Sequence, residues 1–393
     1  MKNKINISIV AGCLCMILNC CIDTFNANLG DNQLGLLVVD GNIISDSTVV
    51  FSLSRTFSLG EEEIPKDYNQ ITAEVAVVGD DGLRIVGTPI GDGQYQVEIG
   101  MLNMQTRYGV EIKNEGDVYT SELAYPIETA AIDSLSFEQP EDYGDIYVCL
   151  TAHDTKYTDP VYYIWTYEED WEVRTAYRSR WVYDASKDIV YEYAKAPYAR
   201  GWSHALSNRT LVGTTEANIE NILQNKRVYS ISSSDIRVSC YYSTLIRQRG
   251  LSKGEFEYYQ CKAKQSEDMG GLFTPLPTEL PTNITCTNPE KKVIGYIGVN
   301  MNISERRLYI PGDEIQYKSP YYCVAMLQGD LSNDGMVGLG YGIAYLRNDG
   351  AYMWAFKECV DYRALGATPD KPDFWPLPDC CLLYTSPSPR DCS

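Results

Sequence analysis

The chain has 393 residues, which is enough for two domains of ordinary size or one large domain with insertions. Its 53 Asp and Glu residues outnumber its 33 Lys and Arg residues, and the formal charge of −20 argues against a nucleic-acid partner, because phosphate binding needs clustered Lys and Arg. Tyrosine is abundant, with 31 residues against 8 Phe, and it suits half-buried sheet positions as well as wet binding surfaces.

The first 21 residues have the parts of a bacterial secretory signal. Two lysines precede an apolar run over residues 5–18, which is too short to cross a bilayer, since about 20 residues are needed. The run leads to two adjacent cysteines, each with an aliphatic residue three places before it, in the arrangement of a lipobox. We predict that Cys21 receives the lipid, with Cys20 as the alternative residue. A plain cleaved signal with incidental cysteines is the competing interpretation.

A lipid on Cys21 would place everything after it outside the cytoplasm. Acyl chains contribute roughly 0.8 kcal/mol per buried methylene, so two or three chains on one cysteine would hold the protein on a membrane. Residues 22–33 are polar and are predicted to be a tether between the lipid and the first domain.

Residues 34–128 are predicted to form a first domain of short strands. Apolar and polar residues alternate around Val49, Val75, Val97 and Val110, which places one face of each strand in a core. Turns rich in Gly, Asn and Asp separate these stretches. Six or seven strands in about 95 residues predict an immunoglobulin-like or transthyretin-like sandwich.

Residues 129–380 are predicted to form a larger β-rich second domain with one or two helices. Its opening strand is expected at 132–137, and strands rich in Tyr and Trp at 161–173 and 177–183, the latter followed by a hairpin turn at 185–188. Further strands are expected over four stretches: 236–246, 295–301, 307–310 and 338–346.

Two stretches of the second domain have helical patterns. Residues 210–223 place Ile219, Ile222 and Leu223 on one face of a helix. The stronger pattern is the capping box formed by Ser252 and Glu255, which predicts a helix that ends before two glycines at 270–271. The three prolines between 272 and 283 predict an extended loop after it.

The cysteines give no metal-binding pattern. Residues 381–393 resemble the translation of a sequencing adapter, and we exclude them from the predicted fold. An oxidising compartment permits disulfides among the remaining cysteines, but spacing alone does not assign pairs. These cysteines form no Cys-x-x-Cys or similar cluster, so we expect no metal and no cofactor. They are Cys149, Cys240, Cys261, Cys286, Cys323, Cys359 and Cys380.

One short motif invites comparison with a hydrolase. Residues 201–205, Gly-Trp-Ser-His-Ala, look superficially like a nucleophile elbow. That elbow needs a strand, a sharp turn and a helix in an α/β sheet, and a separate histidine as base. His153 is the only other histidine in the chain. We therefore interpret the motif as incidental.

Two acidic runs could suggest other chemistry. Residues 330–335 partly match the start of a calcium loop, but Tyr341 stands where the closing bidentate Glu should be, so a turn is the better interpretation. The run Glu168-Glu169-Asp170 could supply the paired carboxylates of a glycosidase. A solvated strand end explains this run more simply.

Several motifs in fixed order resemble one protein family, domain of unknown function 4249. The likeness extends to Trp375 and rests on the order and spacing of the motifs. They are Leu-Val-Val-Asp-Gly-Asn-Ile at 37–43, Gly-Gly-Leu-Phe-Thr-Pro at 270–275 leading to Asn-Ile at 283–284, Gly-Tyr-Ile-Gly at 295–298 leading to Arg-Arg-Leu-Tyr-Ile at 306–310, and Lys-Pro-Asp-Phe-Trp at 371–375.

The resemblance implies a Bacteroidota outer-membrane lipoprotein with an N-terminal β-sandwich and a larger β-rich domain. Members are commonly encoded beside TonB-dependent receptors and have no established enzymatic activity, so the resemblance supplies no catalytic residues. The chain departs from the pattern in one place. Cys359 stands alone before Lys371, where a nearby cysteine pair is expected, and this puts a local disulfide there in doubt.

The function expected from these features is that of a non-enzymatic, surface-exposed outer-membrane lipoprotein. It would be accessory to a TonB-dependent receptor and would help it to capture or gate its substrate. The alternative is a surface adhesin or a glycan-binding or peptide-binding lipoprotein that acts without a receptor. Because Trp is favoured at binding hot spots, the expected ligand or partner contacts are Trp165, Trp171, Trp181 and Trp202.

Overall fold

The computed structural model describes a chain that is mainly β. The described residues are 35–57, 68–176, 181–184, 189–192, 198–218, 220–268, 280–319, 326–328, 344–348, 351–355, 359, 361–375 and 385–386. Several predicted features lie outside them. These are the signal at 1–21 with Cys20 and Cys21, the tether at 22–33, the turn at 185–188, the acidic run at 330–335 and all of 381–393 except two residues.

The first sandwich begins with nine strands. Phe51 and Leu53 on the third strand are at most 1% exposed, while Val50 just before Phe51 is 42% exposed, so the predicted alternation does place one face in a core. The strands are β1 (Leu37–Asp40), β2 (Ile43–Ile44), β3 (Ser47–Arg55), β4 (Glu74–Gly79), β5 (Arg84–Val86), β6 (Thr88–Gly91), β7 (Gln94–Ile99), β8 (Tyr108–Asn114) and β9 (Asp117–Ser121).

The second sandwich follows directly in the chain. The 13-residue strand β12 and the 11-residue strand β18 run side by side at its centre. The strands up to this point are β10 (Ile132–Glu138), β11 (Ile146–His153), β12 (Tyr162–Arg174), β13 (Trp181–Asp184), β14 (Ile189–Glu192), β15 (Arg200–Leu206), β16 (Leu211–Thr214), β17 (Ile222–Ile231) and β18 (Tyr241–Leu251).

One α-helix and eight further strands complete the described elements. The helix α1 (Lys253–Asp268) packs Phe256 and Tyr259 against Ile164. The strands are β19 (Ile284–Cys286), β20 (Val293–Ile294), β21 (Val299–Asn300), β22 (Ser304–Pro311), β23 (Met326–Gln328), β24 (Ala344–Asn348), β25 (Ala351–Ala355) and β26 (Thr385–Ser386). Short 3₁₀ turns lie at Ile236–Val238, Gly312–Glu314 and Tyr362–Leu365.

Two sheets form each sandwich. In the first, the strand orders are β20-β1-β3-β7-β6 and β19-β9-β8-β4-β5. In the second, β10-β11-β17 packs over β15-β12-β18-β22-β26, with β16 also paired to β12. The prediction of a mainly β chain with an N-terminal sandwich and at least one helix is therefore confirmed.

The first sandwich is completed by residues that follow most of the second one in sequence. The predicted domain boundaries put residues 284–300 in the second domain. In the structure, however, β19 pairs with β9, and β20 pairs in parallel with β1. Ile284, Val293 and Val299 are at most 7% exposed in the core of the first sandwich. Strands β10–β18 are thus inserted between β9 and β19, whereas β22 of the second sandwich follows β21 in the chain.

Two local predictions in the second sandwich are wrong. Residues 211–214 form β16 rather than a helix, because they pair with Tyr162–Trp165 of β12, and β17 already begins at Ile222. Residues 236–238 form a 3₁₀ turn rather than a strand, because Asp235 accepts a hydrogen bond from the backbone N–H of Arg237 at 3.0 Å. The strand expected from 236 begins at Tyr241.

The strongest helix prediction is confirmed. The Ser252 hydroxyl accepts a hydrogen bond from the backbone N–H of Glu255 at 3.2 Å, as a capping residue does. Phe256 and Tyr259 are at most 8% exposed. At 16 residues, α1 is too short and too polar to cross a bilayer, and none of the other helical segments that the structure describes is suited to do so.

A buried ion pair lies where the two sandwiches meet. The Arg249 guanidinium donates to Glu255 Oε1 at 2.7 Å and to Asn300 Oδ1 at 3.1 Å, and the three side chains come from β18, α1 and β21. Arg249 is 8% exposed and Glu255 1%. Burial raises the pKa of the Glu255 carboxyl, against the opposing effect of the Arg249 charge. The Asn300 amide also donates to the Gly250 carbonyl, so this network joins both sandwiches.

Four of the cysteines have free thiols: Cys149, Cys240, Cys261 and Cys286. Cys359, by contrast, is disulfide-bonded, and its partner lies outside the described residues. Cys359 therefore does form a disulfide, although the isolated position of this cysteine put a local disulfide in doubt.

The buried thiol of Cys149 should resist alkylation in the folded protein. Burial raises the pKa of the Cys149 thiol to about 11. Cys261 is more exposed and serves as the matched comparison. At pH 8 we expect iodoacetamide to modify Cys149 at least tenfold more slowly than Cys261, because the Cys149 thiol is buried and thiolate is the reactive form. The Cys149 rate should increase about tenfold per pH unit up to its pKa. Peptide mass spectrometry measures both rates, and equal rates in the native protein would contradict the expectation.

Candidate functional site

The four predicted tryptophan contacts lie in different environments. Trp165 is 1% exposed, and its indole N–H donates to Gln248 Oε1 at 2.8 Å inside the second sandwich. This corrects the expectation of a contact residue, because the indole is enclosed by core side chains on β12 and β18. Trp181 lies in β13, and its side chain is outside what the structure describes.

Trp171 and Trp202 are partly buried and lie on opposite faces of the large sheet. The Arg200 guanidinium stacks over the Trp202 ring, 5.0 Å from its centroid. Trp171 packs beside Val173 and Tyr362. Both indole N–H groups are buried without a hydrogen-bond partner among the described residues, although buried indole nitrogens usually have one. These two tryptophans remain candidates for contact.

The acidic run on β12 is not a solvated strand end, so that interpretation was wrong. Glu169 is 4% exposed and Asp170 3%, because the run lies in the interior of a strand with neighbours on both sides. Each of the three carboxylates pairs with an arginine from another segment of the chain. The pairs are Glu168 with Arg247, Glu169 with Arg237 and Asp170 with Arg307.

Asp170 lies at the centre of a polar cluster on the outer face of the large sheet. Its carboxylate contacts His204 Nδ1 at 2.7 Å and accepts a hydrogen bond from Arg307 at 2.9 Å. Arg307 also donates to Ser243 Oγ and stacks on Phe374, 3.7 Å from the ring centroid. The Phe374 carbonyl accepts from Tyr309 at 3.2 Å, so the 371–375 motif covers part of this face.

The residues of the elbow-like motif do not form an elbow. Residues 201–205 lie inside β15, paired with Glu169–Val173 of β12, and the strand has no sharp turn there. The Ser203 hydroxyl donates to the Gly366 carbonyl at 3.2 Å. Across the described ranges, no group of three or more His, Cys, Asp or Glu residues could hold a metal ion.

A recess of about 220 Å³ opens at one side of the second sandwich, and we call it the Arg237 recess. Its walls come from β12, the segment after β15, the end of β17 and the 3₁₀ turn at 236–238. The lining residues are Tyr167, Glu169, Leu206, Ser207, Asn208, Arg209, Tyr229, Ser230, Ile231 and Arg237.

A buried hydrogen-bond network fixes one wall of the Arg237 recess. Arg237 Nη1 donates to both oxygens of Glu169 at 2.7 Å, and Nη2 donates to Asp235 at 2.7 Å. The Tyr242 hydroxyl also donates to Glu169, at 2.6 Å. Burial alone would raise the pKa of Asp235, but hydrogen bonds from Arg237 outweigh it and lower that pKa. The network therefore holds Arg237 charged and in place.

Aromatic and apolar side chains lie beside polar ones in the rest of the recess. The rings of Tyr167 and Tyr229 are parallel, with centroids 4.1 Å apart, and the Tyr229 hydroxyl is 2.9 Å from that of Tyr242. At the rim, Leu206 is 71% exposed. An open recess in which fixed polar groups converge beside aromatic side chains is a candidate ligand site.

Sequence reasoning missed the residues of this recess. Glu169 was noticed only as part of an acidic run, and its partner Arg237 is 68 residues away in the chain. The one available signal was charge placement: an acidic residue at an inward position of a strand needs a cation nearby. That signal indicates that the acidic residue has a buried cationic partner, but it does not show which residue the partner is.

Comparisons with known proteins identify a family but no function. The model of the family described as Domain of unknown function (DUF4249) matches residues 22–306. No curated protein matches the chain. Among solved structures, the chain is similar at 18% identity to the Yersinia pseudotuberculosis adhesin InvE, with a TM-score of 0.17. That match covers 56% of this chain and 57% of the adhesin, and a likeness this weak carries no argument.

Proposed function

Since the chain belongs to the DUF4249 family, whose model spans most of it, we propose that it is a non-enzymatic lipoprotein that assists a TonB-dependent receptor. In this proposal a lipid on Cys21 anchors the protein to the outer membrane, exposed at the cell surface. The second sandwich then captures the receptor's substrate or contacts the receptor itself.

The single observation that carries this proposal is the position at which the chain enters the first sandwich. Leu37, at the start of β1, pairs with Arg55 at the far end of β3, and Arg55 contacts Asn114 and Glu115 in the β8–β9 turn. The opposite end of this sandwich joins the second one, where Ile43 pairs with Val299. A tether that leads to Leu37 from a membrane would therefore hold the second sandwich away from the lipid.

Features of the second sandwich also support a capture role. The Arg237 recess and Trp202 both lie in this sandwich, which the proposed anchor directs outward. Arginine and aromatic side chains are enriched at binding hot spots. An adhesin that acts without a receptor would use the same surfaces, so receptor binding must be tested directly.

The proposal predicts that a TonB-dependent barrel co-purifies with the anchored protein. The tagged chain is recovered from outer membranes in mild detergent, and mass spectrometry identifies and quantifies its partners. We expect a barrel in near-stoichiometric amount with the wild type. We expect much less with Cys21→Ser, which should lack the lipid that keeps the protein beside the receptor.

Cys20→Ser is the matched control, since it changes the neighbouring cysteine and should leave the anchor in place. Intact lipoprotein without any barrel would overturn the receptor role and favour the adhesin alternative. Loss of the anchor in Cys20→Ser rather than Cys21→Ser would reverse the lipid assignment alone.

A further inference from the structure

The Arg237 recess holds hydrogen-bond donors that its own residues do not use. A guanidinium has five N–H donors. Arg237 uses two of its N–H groups to bond Glu169 and one to bond Asp235. Two N–H groups therefore remain without a partner among the described residues. Because the network fixes the side chain, these donors are held in place before any ligand arrives.

A second guanidinium stands at the rim of the recess. Arg209 is exposed, and its side chain has no hydrogen-bond or ion-pair partner in the described part of the chain. Its backbone N–H donates to Ser207 Oγ at 3.1 Å, which orders the segment that carries it. On a chain with a formal charge of −20, an arginine without a carboxylate partner is an exception that favours an anion.

The size and the walls of the recess restrict the ligand. Its volume of about 220 Å³ is below the roughly 300–1,000 Å³ of sites that enclose drug-sized molecules. It therefore suits one sugar ring or one amino-acid side chain. The rings of Tyr167 and Tyr229 and the exposed Leu206 add apolar surface beside the arginines.

We propose that the Arg237 recess binds the carboxylate of a small acidic ligand, carried by a uronic acid or by an acidic peptide residue. Arg209 would pair with the carboxylate, and the free donors of Arg237 would bond its second oxygen. Guanidinium groups suit this role because their planar donors match a carboxylate. The acidic ligand would be the substrate that the second sandwich captures, and in this respect the inference rests on the capture role proposed above.

Titration calorimetry on the full chain tests the proposal with two matched pairs of probes. Galacturonate is compared with galactose, and N-acetyl-Gly-Glu-amide with N-acetyl-Gly-Gln-amide. We expect one acid of the two pairs to bind and its neutral counterpart to bind at least tenfold more weakly. Binding should weaken as salt is added. The pair that binds identifies the source of the carboxylate.

Two variants assign the binding to the recess. Arg209→Gln should weaken binding of the acid about tenfold, while Lys226→Gln should not change it. Lys226 is another exposed cation, on β17, that does not line the recess. Binding of neither acid to the wild type, or equal affinities in the wild type and Arg209→Gln, would overturn the proposal. Recovery of the receptor barrel by Arg209→Gln would show separately that receptor docking holds.

Discussion

Replacing Arg249 by Met should lower the free energy of unfolding by about 3–5 kcal/mol, because it leaves the buried Glu255 carboxylate without its cation. Glu255 is 1% exposed, and its only ion-pair partner in the described part of the chain is Arg249, at 2.7 Å. Asn300 would lose a donor at the same time. Urea unfolding followed by far-ultraviolet circular dichroism measures the change.

The double variant Arg249→Met, Glu255→Met separates the charge effect from lost packing. Removing both charges leaves no unpaired ion, and replacement of a buried pair by apolar side chains is often neutral or stabilising. We therefore expect the double variant to be more stable than Arg249→Met alone. If the double variant were the less stable of the two, the stabilising role would belong to packing around the side chains and not to the pair.

The second large effect is expected at Trp165. Its truncation to Ala should lower the free energy of unfolding by about 3–5 kcal/mol, since the indole is enclosed in the core and leaves a cavity. It also removes the donor to Gln248 Oε1. Urea unfolding measures this change too, in a variant whose surface is otherwise unaltered.

Leu206→Ala is the matched control for Trp165→Ala. Leu206 lies on β15, the strand next to β12, and is 71% exposed, so its truncation should change stability by at most about 0.5 kcal/mol. Similar losses in the two variants would contradict the core position of Trp165. Ligand binding by Trp165→Ala in its folded fraction should match that of the wild type.

The fold was predictable where the information is local. Alternation around Phe51 reveals a strand because one face of each sheet is buried, and the Ser252 cap reveals a helix start because the cap is three residues from Glu255. The family resemblance is likewise confirmed over residues 22–306. The alternation and the cap are local signals, because each depends only on residues that are close in sequence.

The fold was not predictable where the partner is distant in sequence. Residues 284–286 complete the first sandwich by pairing with Ser121–Tyr119, more than 160 positions away. Leu211–Thr214 become a strand because β12 offers them an edge, although the surrounding pattern favoured a helix. Local propensity yields to such tertiary pairing, and a single sequence does not display it.

The candidate site was predictable only in its general composition. Aromatic contact residues in the second sandwich were predicted. Trp202 and the core residue Trp165 differ in their exposure to solvent, which depends on which sheet covers which face. The Arg237 recess depends on four segments that meet only in the folded chain. The sequence pattern singled out the carboxylate of Glu169 but not the arginine, Arg237, with which it pairs.

The insertion of one sandwich into the other has a consequence for the order of folding. β1 acquires its neighbour β20 only when residues 293–294 are present, so synthesis or export from the N-terminus delivers the whole of β10–β18 first. The second sandwich in turn lacks β22, which pairs with the central strand β18, until residues 304–311 have followed. Neither sandwich can therefore close before most of the chain is present, and a fragment that stops at residue 128 would leave β1 and β9 as unprotected edges prone to aggregation.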